Sequence, residues 1–179
     1  MEELPLHKAF QLIEPGPVVL VTTASGRKKN IMTLTWHMVL DFSPQIACVI
    51  GPWDYTFNAR SVKKKCVLAI PTIDLSAKVV DIGSCSGSDT DKFKTFDLTP
   101  VKAKSVKAPL IEQCLANIEC RVTDYIDKYS IFVLEAVNAW MDARRKERRT
   151  FHANGDGTFI VDGRTLNLRK RMLKLPPGV

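Results

Sequence analysis

The sequence predicts a mainly β domain, either a barrel or a sandwich, with a few short helices. Short runs rich in β-branched and apolar residues recur along the chain of 179 residues, and turn residues separate them. Helical spacing appears only over short stretches. Because strands and helices do not alternate regularly, a doubly wound parallel sheet is disfavoured.

The first two predicted strands form a hairpin. Residues 18–23 are short and β-branched, which is typical of a strand. Residues 30–36 alternate apolar and polar side chains, which predicts a half-buried strand. Residues 25–29 lie between them and include a glycine, so they predict the turn.

The remaining strand signals continue along the chain. Residues 45–50 predict a strand that Gly51-Pro52 ends, and residues 66–70 predict a buried strand that ends at Pro71. Further strands are predicted over residues 115–123 and 131–139, and residues 154–157, Asn-Gly-Asp-Gly, predict a tight turn between Phe151 and residues 159–161.

Two short helices are predicted between these strands. They cover residues 56–64 and residues 75–82, and a polar loop over residues 83–91 follows the second helix. The candidate N-caps have the short polar side chains that capping requires, and they are Asp54 or Thr56 for the first helix and Thr72 or Asp74 for the second.

Bulk properties predict a soluble cytoplasmic protein. No run of residues reaches the roughly 18 apolar positions that a membrane helix needs. The first residues, Met-Glu-Glu-Leu-Pro, lack the basic and then apolar regions of a secretory signal. Since no repeat or low-complexity linker interrupts the chain, we expect one domain over residues 1–179, with a core at roughly 10–165 and a C-terminal extension at 166–179.

The cysteines and histidines do not predict a metal site or a disulfide framework. The five cysteines are odd in number and never spaced Cys-x-x-Cys, and no two histidines stand at i and i+4. Cys66, Cys114 and Cys120 are expected to be core thiols, whereas Cys85 lies in a Gly/Ser loop and is the candidate exposed thiol. His37 is either a pocket residue or a satisfied interior histidine.

The sequence lacks the common phosphate-binding motifs, and its one match to a nucleophile motif does not lie between a strand and a helix. The chain has neither a Gly-x-Gly-x-x-Gly dinucleotide fingerprint nor a Walker loop. Residues 83–87 match the Gly-x-Cys-x-Gly version of a nucleophile elbow, but an elbow needs a strand before it and a helix after it. Nucleophilic catalysis by Cys85 is therefore disfavoured.

The formal net charge of +7 permits an anionic ligand or a nucleic acid partner. Basic residues cluster at 60–65, 144–149 and 169–174. Nucleic-acid-binding surfaces interleave basic and aromatic residues, and these runs contain almost no aromatic residues. Solvated loops and tails explain them, so a nucleic acid partner is disfavoured.

A set of pocket-like residues remains. A helix start with a hydroxyl residue suits a phosphate, a lysine adds a point charge, and an indole can contact a flat ring. The residues that carry these properties are Asn30, Thr33, Thr35 and Trp36 on one predicted strand, Thr56 at a helix start, and Lys92 after a polar loop.

The order of motifs resembles the flavin reductase-like family with an FMN-binding split barrel. The flavoredoxin branch is the most similar because of Trp36-His37 and the Asp-Lys-Phe at 91–93. The resemblance covers about residues 15–163. Its motifs are residues 15–23 (Pro-Gly-Pro-Val-Val-Leu-Val-Thr-Thr), 30–37, 44–50, Tyr55-Thr56-Phe57, 86–93, 108–111 and 132–137.

This resemblance implies a six-stranded antiparallel Greek-key split barrel, a homodimer, and FMN bound near the subunit interface. It implies that the strand from Asn30 through Thr33 and Thr35 to Trp36 lines the flavin, and that Thr56 and Lys92 meet the phosphate side or the ring edge. Tyr129 stands where many relatives carry a histidine. The backbone segments that would approach the isoalloxazine lie at Met32, Leu34 and Cys48.

The implied function is an FMN-binding oxidoreductase without a metal. Electrons would come from NAD(P)H or a redox protein, pass through FMN, and leave to a flavin, a metal or a protein acceptor. Two alternatives stay open. One is an FMN electron carrier that never oxidises a nicotinamide, and the other is a basic nucleic-acid-binding barrel without cofactor.

Overall fold

A single antiparallel sheet dominates the computed structural model, which describes residues 1–58, 64–172 and 174. The helices are α1 (Tyr55–Asn58), α2 (Ser76–Gly83) and α3 (Lys92–Thr95). The strands, in chain order, are β1 (Glu2–Leu4), β2 (Val19–Ser25), β3 (Lys28–Leu34), β4 (His37–Asp41), β5 (Gln45–Val49), β6 (Lys65–Ile70), β7 (Pro100–Val101), β8 (Leu110–Ile111), β9 (Ala116–Ile126), β10 (Ile131–Met141), β11 (Phe151–Ala153) and β12 (Phe159–Val161).

The sheet has eight strands in the order β3-β2-β6-β9-β10-β5-β4, with β1 added beside β10. Leu34 of β3 and Cys48 of β5 lie far apart in this order, yet both belong to the same buried core cluster. The sheet therefore curls around that core, which selects a barrel rather than a sandwich. The predicted mainly β fold is confirmed, and the sheet holds two more strands than the six that the resemblance implies.

The predicted hairpin forms in register, with Val19 opposite Leu34 and Ser25 opposite Lys28. The Asn-Gly-Asp-Gly turn is also confirmed, since it joins β11 to β12. Gly155 there has φ of 88°, a conformation that glycine adopts without a steric penalty.

A second buried cluster covers the outside of the barrel at β2 and β3. Leu20 and Ile31 point outward from these strands and pack with Ile82 of α2 and Phe93 of α3. This packing holds α2 and α3 against β3, and it places the polar loop between the two helices beside the same strand.

The helices differ from the prediction at their ends. α1 begins at Tyr55, and Lys64 lies in a turn, while residues 59–63 of the predicted helix fall outside the described residues. α2 is confirmed and is preceded by a 3₁₀ turn at Ile73–Leu75. Thr72 precedes that turn, but its hydroxyl donates to Asp74 Oδ1 at 2.5 Å instead of capping a backbone N–H.

Strand β4 is an edge strand that the sequence did not predict. It pairs with β5, with His37 opposite Cys48, and has no partner on its other side among the strands of the described chain. Met38 and Leu40 are 58% and 45% exposed, so an apolar face of this strand meets solvent. Among the described residues, no helix has both the length and the apolar character to cross a membrane.

Candidate functional site

A cleft of about 230 Å³ lies where β3, α1, the end of α2 and the start of α3 meet. Its walls are Asn30, Met32 and Thr33 of β3, residues 53–56, residues 82–87 and Lys92. Strand β3 supplies side chains on one side, and the packing of α2 and α3 against it brings the Gly/Ser loop to the other side.

Asn30 is a buried polar residue with half of its amide unpaired. It is 6% exposed, and its Nδ2 donates to Thr56 Oγ1 at 2.9 Å. Its Oδ1 is buried without a hydrogen-bond partner in the part of the chain that the structure describes. A Cβ on Gly87 would lie 2.0 Å from that oxygen, so only glycine fits here. Buried acceptors are nearly always paired, so this oxygen suits a donor from a ligand.

Lys92 brings a buried cation to the same cleft. It is 5% exposed, and its Nζ donates to Ile82 O at 2.8 Å. Asp91 fixes the start of α3 by accepting from the Lys94 N–H at 3.3 Å. Burial lowers the pKa of the Lys92 ammonium, and nearby groups including Cys85 partly oppose that shift. An ammonium has three N–H donors, so Lys92 has donors left for an anionic or carbonyl group.

Thr33 and Thr56 are held by contacts within the protein. The Thr33 hydroxyl donates to Val79 O at 2.6 Å and ties α2 to β3. Thr56 is the second residue of α1, is 1% exposed, and accepts the hydrogen bond from Asn30. Both side chains shape the cleft, and Thr56 also orients the Asn30 amide.

The rim of the cleft is aromatic. Trp53 is 74% exposed and its indole covers Gly51, where a Cβ would lie 2.2 Å from the ring. The Asp54 carboxylate accepts from the Gly51 N–H at 2.9 Å, which stabilises the turn before α1. The Lys28 ammonium lies over the Tyr55 ring, 4.9 Å from its centroid, in a cation–π contact.

A larger groove of about 450 Å³ adjoins the cleft and shares Gly87 with it. Residues 27–29 supply three basic side chains to the groove, and residues 87–91 form the opposite wall. Lys28 Nζ donates to Ser88 O at 3.1 Å across it. The approach to the cleft therefore carries both cations and the carboxylates of Asp89 and Asp91.

The structure brings half of the sequence-predicted site residues together. Asn30, Met32, Thr33, Thr56 and Lys92 all line the cleft. The other five lie elsewhere: Leu34 and Cys48 are in the barrel core, Thr35 and Trp36 link β3 to β4, and Tyr129 is in a 3₁₀ turn between β9 and β10. Their contacts with a ligand stay a prediction.

Trp36 differs from its predicted place at the end of a strand. Strand β3 ends at Leu34, and the Trp36 side chain is 64% exposed. The alternating pattern continues to residue 36, but the ladder ends at Leu34 because the partner strand β2 begins at Val19, opposite Leu34. Trp36 O instead accepts from the Val49 N–H at 3.0 Å.

Trp53, Tyr55 and residues 82–87 line the cleft but were missed as site residues. The Gly/Ser composition of residues 83–87 is a signal for a loop that approaches a ligand closely, although the loop does not fit a nucleophile elbow. The structure agrees with that objection, since helix α2 precedes the loop. The loop instead brings its backbone close to Asn30 through Gly87.

His37 is a half-buried histidine away from the cleft. Its Nε2 lies 2.6 Å from Pro17 O, so Nε2 carries the proton and donates. Burial lowers the pKa of this imidazole, and the hydrogen bond to Pro17 opposes the shift. The ring is therefore neutral near pH 7, and its Nδ1 has no partner in residues 1–58, 64–172 and 174.

Comparisons with known proteins identify the family of the chain. Residues 13–159 match the model of the family described as "Flavin reductase like domain". The uncharacterized protein YddH of Escherichia coli K12 is 31% identical over 178 residues, which cover 90% of this chain and 94% of YddH.

Two solved structures share the fold. The FMN-binding domain of a flavin reductases-like enzyme from Shewanella baltica OS155 superposes with a TM-score of 0.85 at 23% identity, covering 93% of this chain and 96% of that chain. Flavoredoxin of Desulfovibrio vulgaris (Miyazaki F) superposes with a TM-score of 0.77 at 23% identity, covering 85% and 89% of the two chains.

Proposed function

The chain belongs to the flavin reductase like domain family, and from this premise we propose that it is an oxidoreductase that holds FMN in the cleft beside β3. One observation carries the proposal. Asn30 and Lys92 line one cleft, the buried Oδ1 of Asn30 has no hydrogen-bond partner among the described residues, and the Lys92 ammonium has N–H donors left, so both have hydrogen-bonding capacity for a ligand. When bound, FMN supplies the redox chemistry, while the protein supplies position and charge.

The cleft residues fit the polar groups of FMN. Asn30 Oδ1 accepts hydrogen bonds, so it suits an N–H of the ring or a hydroxyl of the ribityl chain. Lys92 offers a positive charge with little competing water, which suits a phosphate or a ring carbonyl. Asp54 also lines the cleft, and its carboxylate, which accepts from the Gly51 N–H, would repel a phosphate placed beside it.

A second copy of the chain is the proposed partner. Alternate residues on and beside edge strand β4 are apolar and exposed: Trp36, Met38, Leu40 and Phe42. An exposed apolar edge strand is a template for association, and proteins that keep one free usually protect it with charge. A homodimer through this edge would bury these side chains and would place Trp36 beside the partner.

The cofactor is tested by an absorbance scan of the purified protein, before and after addition of FMN. We expect a bound flavin spectrum with about one FMN per chain, and mass spectrometry of the released pigment should identify FMN. A colourless protein that also fails to bind added FMN contradicts the proposal.

The electron donor is tested under anaerobic conditions with NADH and with NADPH. We expect flavin absorbance to bleach at a catalytic rate with one of the two nucleotides, which supports a reductase. If neither nucleotide bleaches the flavin while a reduced redox protein does, the chain is an electron carrier in the manner of a flavoredoxin.

The homodimer is tested by light scattering after size-exclusion chromatography. We expect wild type to be dimeric and Met38→Glu to be monomeric. Ile160→Glu is the matched control because Ile160 is 58% exposed like Met38 but belongs to β12, in the separate two-stranded sheet with β11. A monomeric wild type, or an equal effect of both variants, contradicts the interface.

A further inference from the structure

We propose that Cys85 is a redox-sensitive modification site, and that oxidation of its thiol by hydrogen peroxide closes the cleft to FMN. The proposal rests on the proposed function only in naming FMN as the ligand. It assigns a chemical role to a residue that the electron transfer itself does not use.

The thiol lies inside the cleft wall, next to the buried cation. Cys85 is half-exposed and belongs to the loop that follows α2. Its Sγ lies 3.7 Å from Ile82 O, and Lys92 Nζ donates to the same oxygen at 2.8 Å. The two side chains therefore converge on one carbonyl, so a group added to the sulfur meets the Lys92 ammonium.

The other cysteines are shielded from dissolved oxidants. Cys48, Cys66, Cys114 and Cys120 are all 0% exposed. Burial raises the pKa of Cys114 to about 12 and that of Cys48 well above its usual range. A hydrogen bond with Cys66, together with burial, raises the pKa of Cys120. Because these four thiols are fully buried and Cys85 is partly exposed, dissolved peroxide should reach Cys85 first.

A second observation marks the same cleft as a ligand site. Asn30 is more than nine-tenths buried, and its Oδ1 lacks a hydrogen-bond partner among the residues that the structure describes. The ligand that completes Asn30 must enter beside Cys85, because both residues line one cleft of about 230 Å³. Atoms that are added to the Cys85 sulfur then occupy space that the ligand needs.

The modification is a two-electron oxidation. The Cys85 thiolate attacks one oxygen of hydrogen peroxide, an S–O bond forms, the O–O bond breaks, and hydroxide leaves and takes up a proton to become water. The sulfur is oxidised to a sulfenic acid and the peroxide is reduced. One small thiol then forms a mixed disulfide with release of water, and a second thiol restores Cys85 and leaves as a disulfide.

Reversal of the oxidation depends on thiols in solution, because no other cysteine of the chain can reach the sulfenic acid of Cys85. Each of the other four cysteines is fully buried in a hydrophobic core cluster. A disulfide between one of them and Cys85 would therefore require the fold to open. Small thiols in solution can reach the half-exposed Cys85 and reverse the oxidation.

The test uses the full chain, as wild type and as Cys85→Ser, each with and without peroxide treatment. Peptide mass spectrometry after trapping with dimedone locates the sulfenic acid, and fluorescence titration measures the FMN affinity. Each treated sample is compared with its own untreated sample. We expect the sulfenic acid at Cys85 only, an FMN affinity at least about tenfold weaker in treated wild type, and recovery with dithiothreitol.

Two further results are expected. Bound FMN should slow oxidation of Cys85 by at least about tenfold, because the ligand covers the sulfur. Peroxide should leave the FMN affinity of Cys85→Ser unchanged, which excludes oxidised methionine as the cause.

The outcomes separate this inference from the proposed function. If untreated wild type binds FMN and oxidation of Cys85 leaves the affinity unchanged, the inference is overturned and the proposed function stands. An equal loss of affinity in treated Cys85→Ser also overturns the inference alone. If untreated wild type does not bind FMN, both are overturned.

Discussion

Two buried polar residues, Glu119 on β9 and Asn30 on β3, differ in how completely the protein pairs them. Glu119 is 0% exposed, and both of its carboxylate oxygens accept hydrogen bonds from neighbouring groups. Its donors are the backbone N–H groups of Lys104 (2.9 Å), Ser105 (2.6 Å) and Val106 (3.2 Å) and the indole N–H of Trp140 (2.8 Å).

Asn30 is incomplete by comparison. Its Nδ2 is paired with Thr56, but its Oδ1 has no partner in the described part of the chain. Lys92, across the cleft, is also buried and uses its ammonium on one carbonyl. The Glu119 carboxylate has its hydrogen bonds complete and holds the loop at residues 104–106 to the barrel. The proposed FMN site rests on the contrast with Asn30, whose Oδ1 has no partner among the described residues, and with Lys92, which has N–H donors left.

The largest effect is expected for Glu119→Leu, which should lower the free energy of unfolding by about 3–5 kcal/mol, because four N–H donors, of which the Val106 N–H is buried, lose their fully buried acceptor. Urea unfolding of the protein without FMN measures it. Glu135→Leu is the control, since Glu135 is an exposed partner of Arg121 and should cost less than about 1 kcal/mol. If Glu119→Leu lowers the free energy of unfolding by less than about 1 kcal/mol, Glu119 is not a structural residue in the sense that distinguishes it from Asn30.

The next effect concerns Lys92→Met, which should weaken FMN binding by about tenfold to a hundredfold, because a desolvated cation near an anionic ligand is lost. Without FMN, the variant should be at least as stable as wild type, since the methionine relieves the burial of a charge. Fluorescence titration and urea unfolding measure the two quantities.

Lys94→Met serves as the matched control for Lys92→Met, because Lys94 is exposed on the same helix. It should bind FMN like wild type. Equal FMN affinity in Lys92→Met and Lys94→Met would show that the buried ammonium does not contact the ligand.

A smaller effect is expected for Asn30→Leu. The FMN affinity should fall by about tenfold, while unfolding of the FMN-free protein should change by about 1 kcal/mol, the worth of one hydrogen bond. Thr22→Val is the control, since it removes another buried hydrogen bond, from Thr22 Oγ1 to Pro109 O, away from the cleft. If Asn30→Leu lowers stability by several kcal/mol and leaves FMN affinity intact, Asn30 is structural like Glu119.

The smallest effect is expected at Asp162, whose carboxylate is paired with Thr150 and His152 but is partly exposed. Asp162 accepts from Thr150 N at 3.0 Å, from the Thr150 hydroxyl, and from His152 Nε2 at 2.7 Å. Burial raises the pKa of this carboxyl, but the hydrogen bonds from Thr150 and His152 outweigh it, so the pKa lies below its usual value. A carboxyl with a lowered pKa stabilises the fold above its unfolded pKa of about 3.9, and that stabilisation is lost as pH falls through the folded pKa.

Asp162→Asn should therefore lower stability at pH 7 by only about 0.5 kcal/mol, because solvent screens a carboxylate that is this exposed. The difference in stability between Asp162→Asn and wild type should become smaller as the pH falls toward the folded pKa of Asp162. Thermal unfolding of both proteins at pH 7 and pH 3 measures it. A difference that grows toward pH 3 would contradict the assigned direction of the pKa shift.

The sequence predicted most of the strands because their signals are local. Residues 18–23, 45–50 and 66–70 are apolar runs bounded by turns, and each became a strand within one residue of its predicted start. Strand β4 escaped prediction because Met38, Val39 and Leu40 are three consecutive apolar residues with no apolar–polar alternation, and two of them are exposed. Its existence depends on pairing with β5, which no local pattern records.

Within the cleft, the sequence identified Asn30, Thr56 and Lys92 by residue type and by the order of family motifs. It also assigned Trp36 and Tyr129 to the ligand, and in the structure both side chains are mostly exposed and lie outside the cleft. A ligand site forms where segments that are distant in the sequence come together in the fold. A sequence motif can therefore suggest which residue types bind a ligand, but not which of them lie in the same cleft.

Local hydrogen bonding and side-chain alternation act over a few residues, so the sequence by itself determined where strands and turns form and which polar residues were candidates. Burial and pairing depend on contacts between distant segments. Only the tertiary structure decided that both carboxylate oxygens of Glu119 are paired, that Asn30 Oδ1 has no partner among the described residues, and that Cys85 shares a carbonyl with Lys92. The free energy of a buried polar group is set by the groups around it, and the fold brings those groups together.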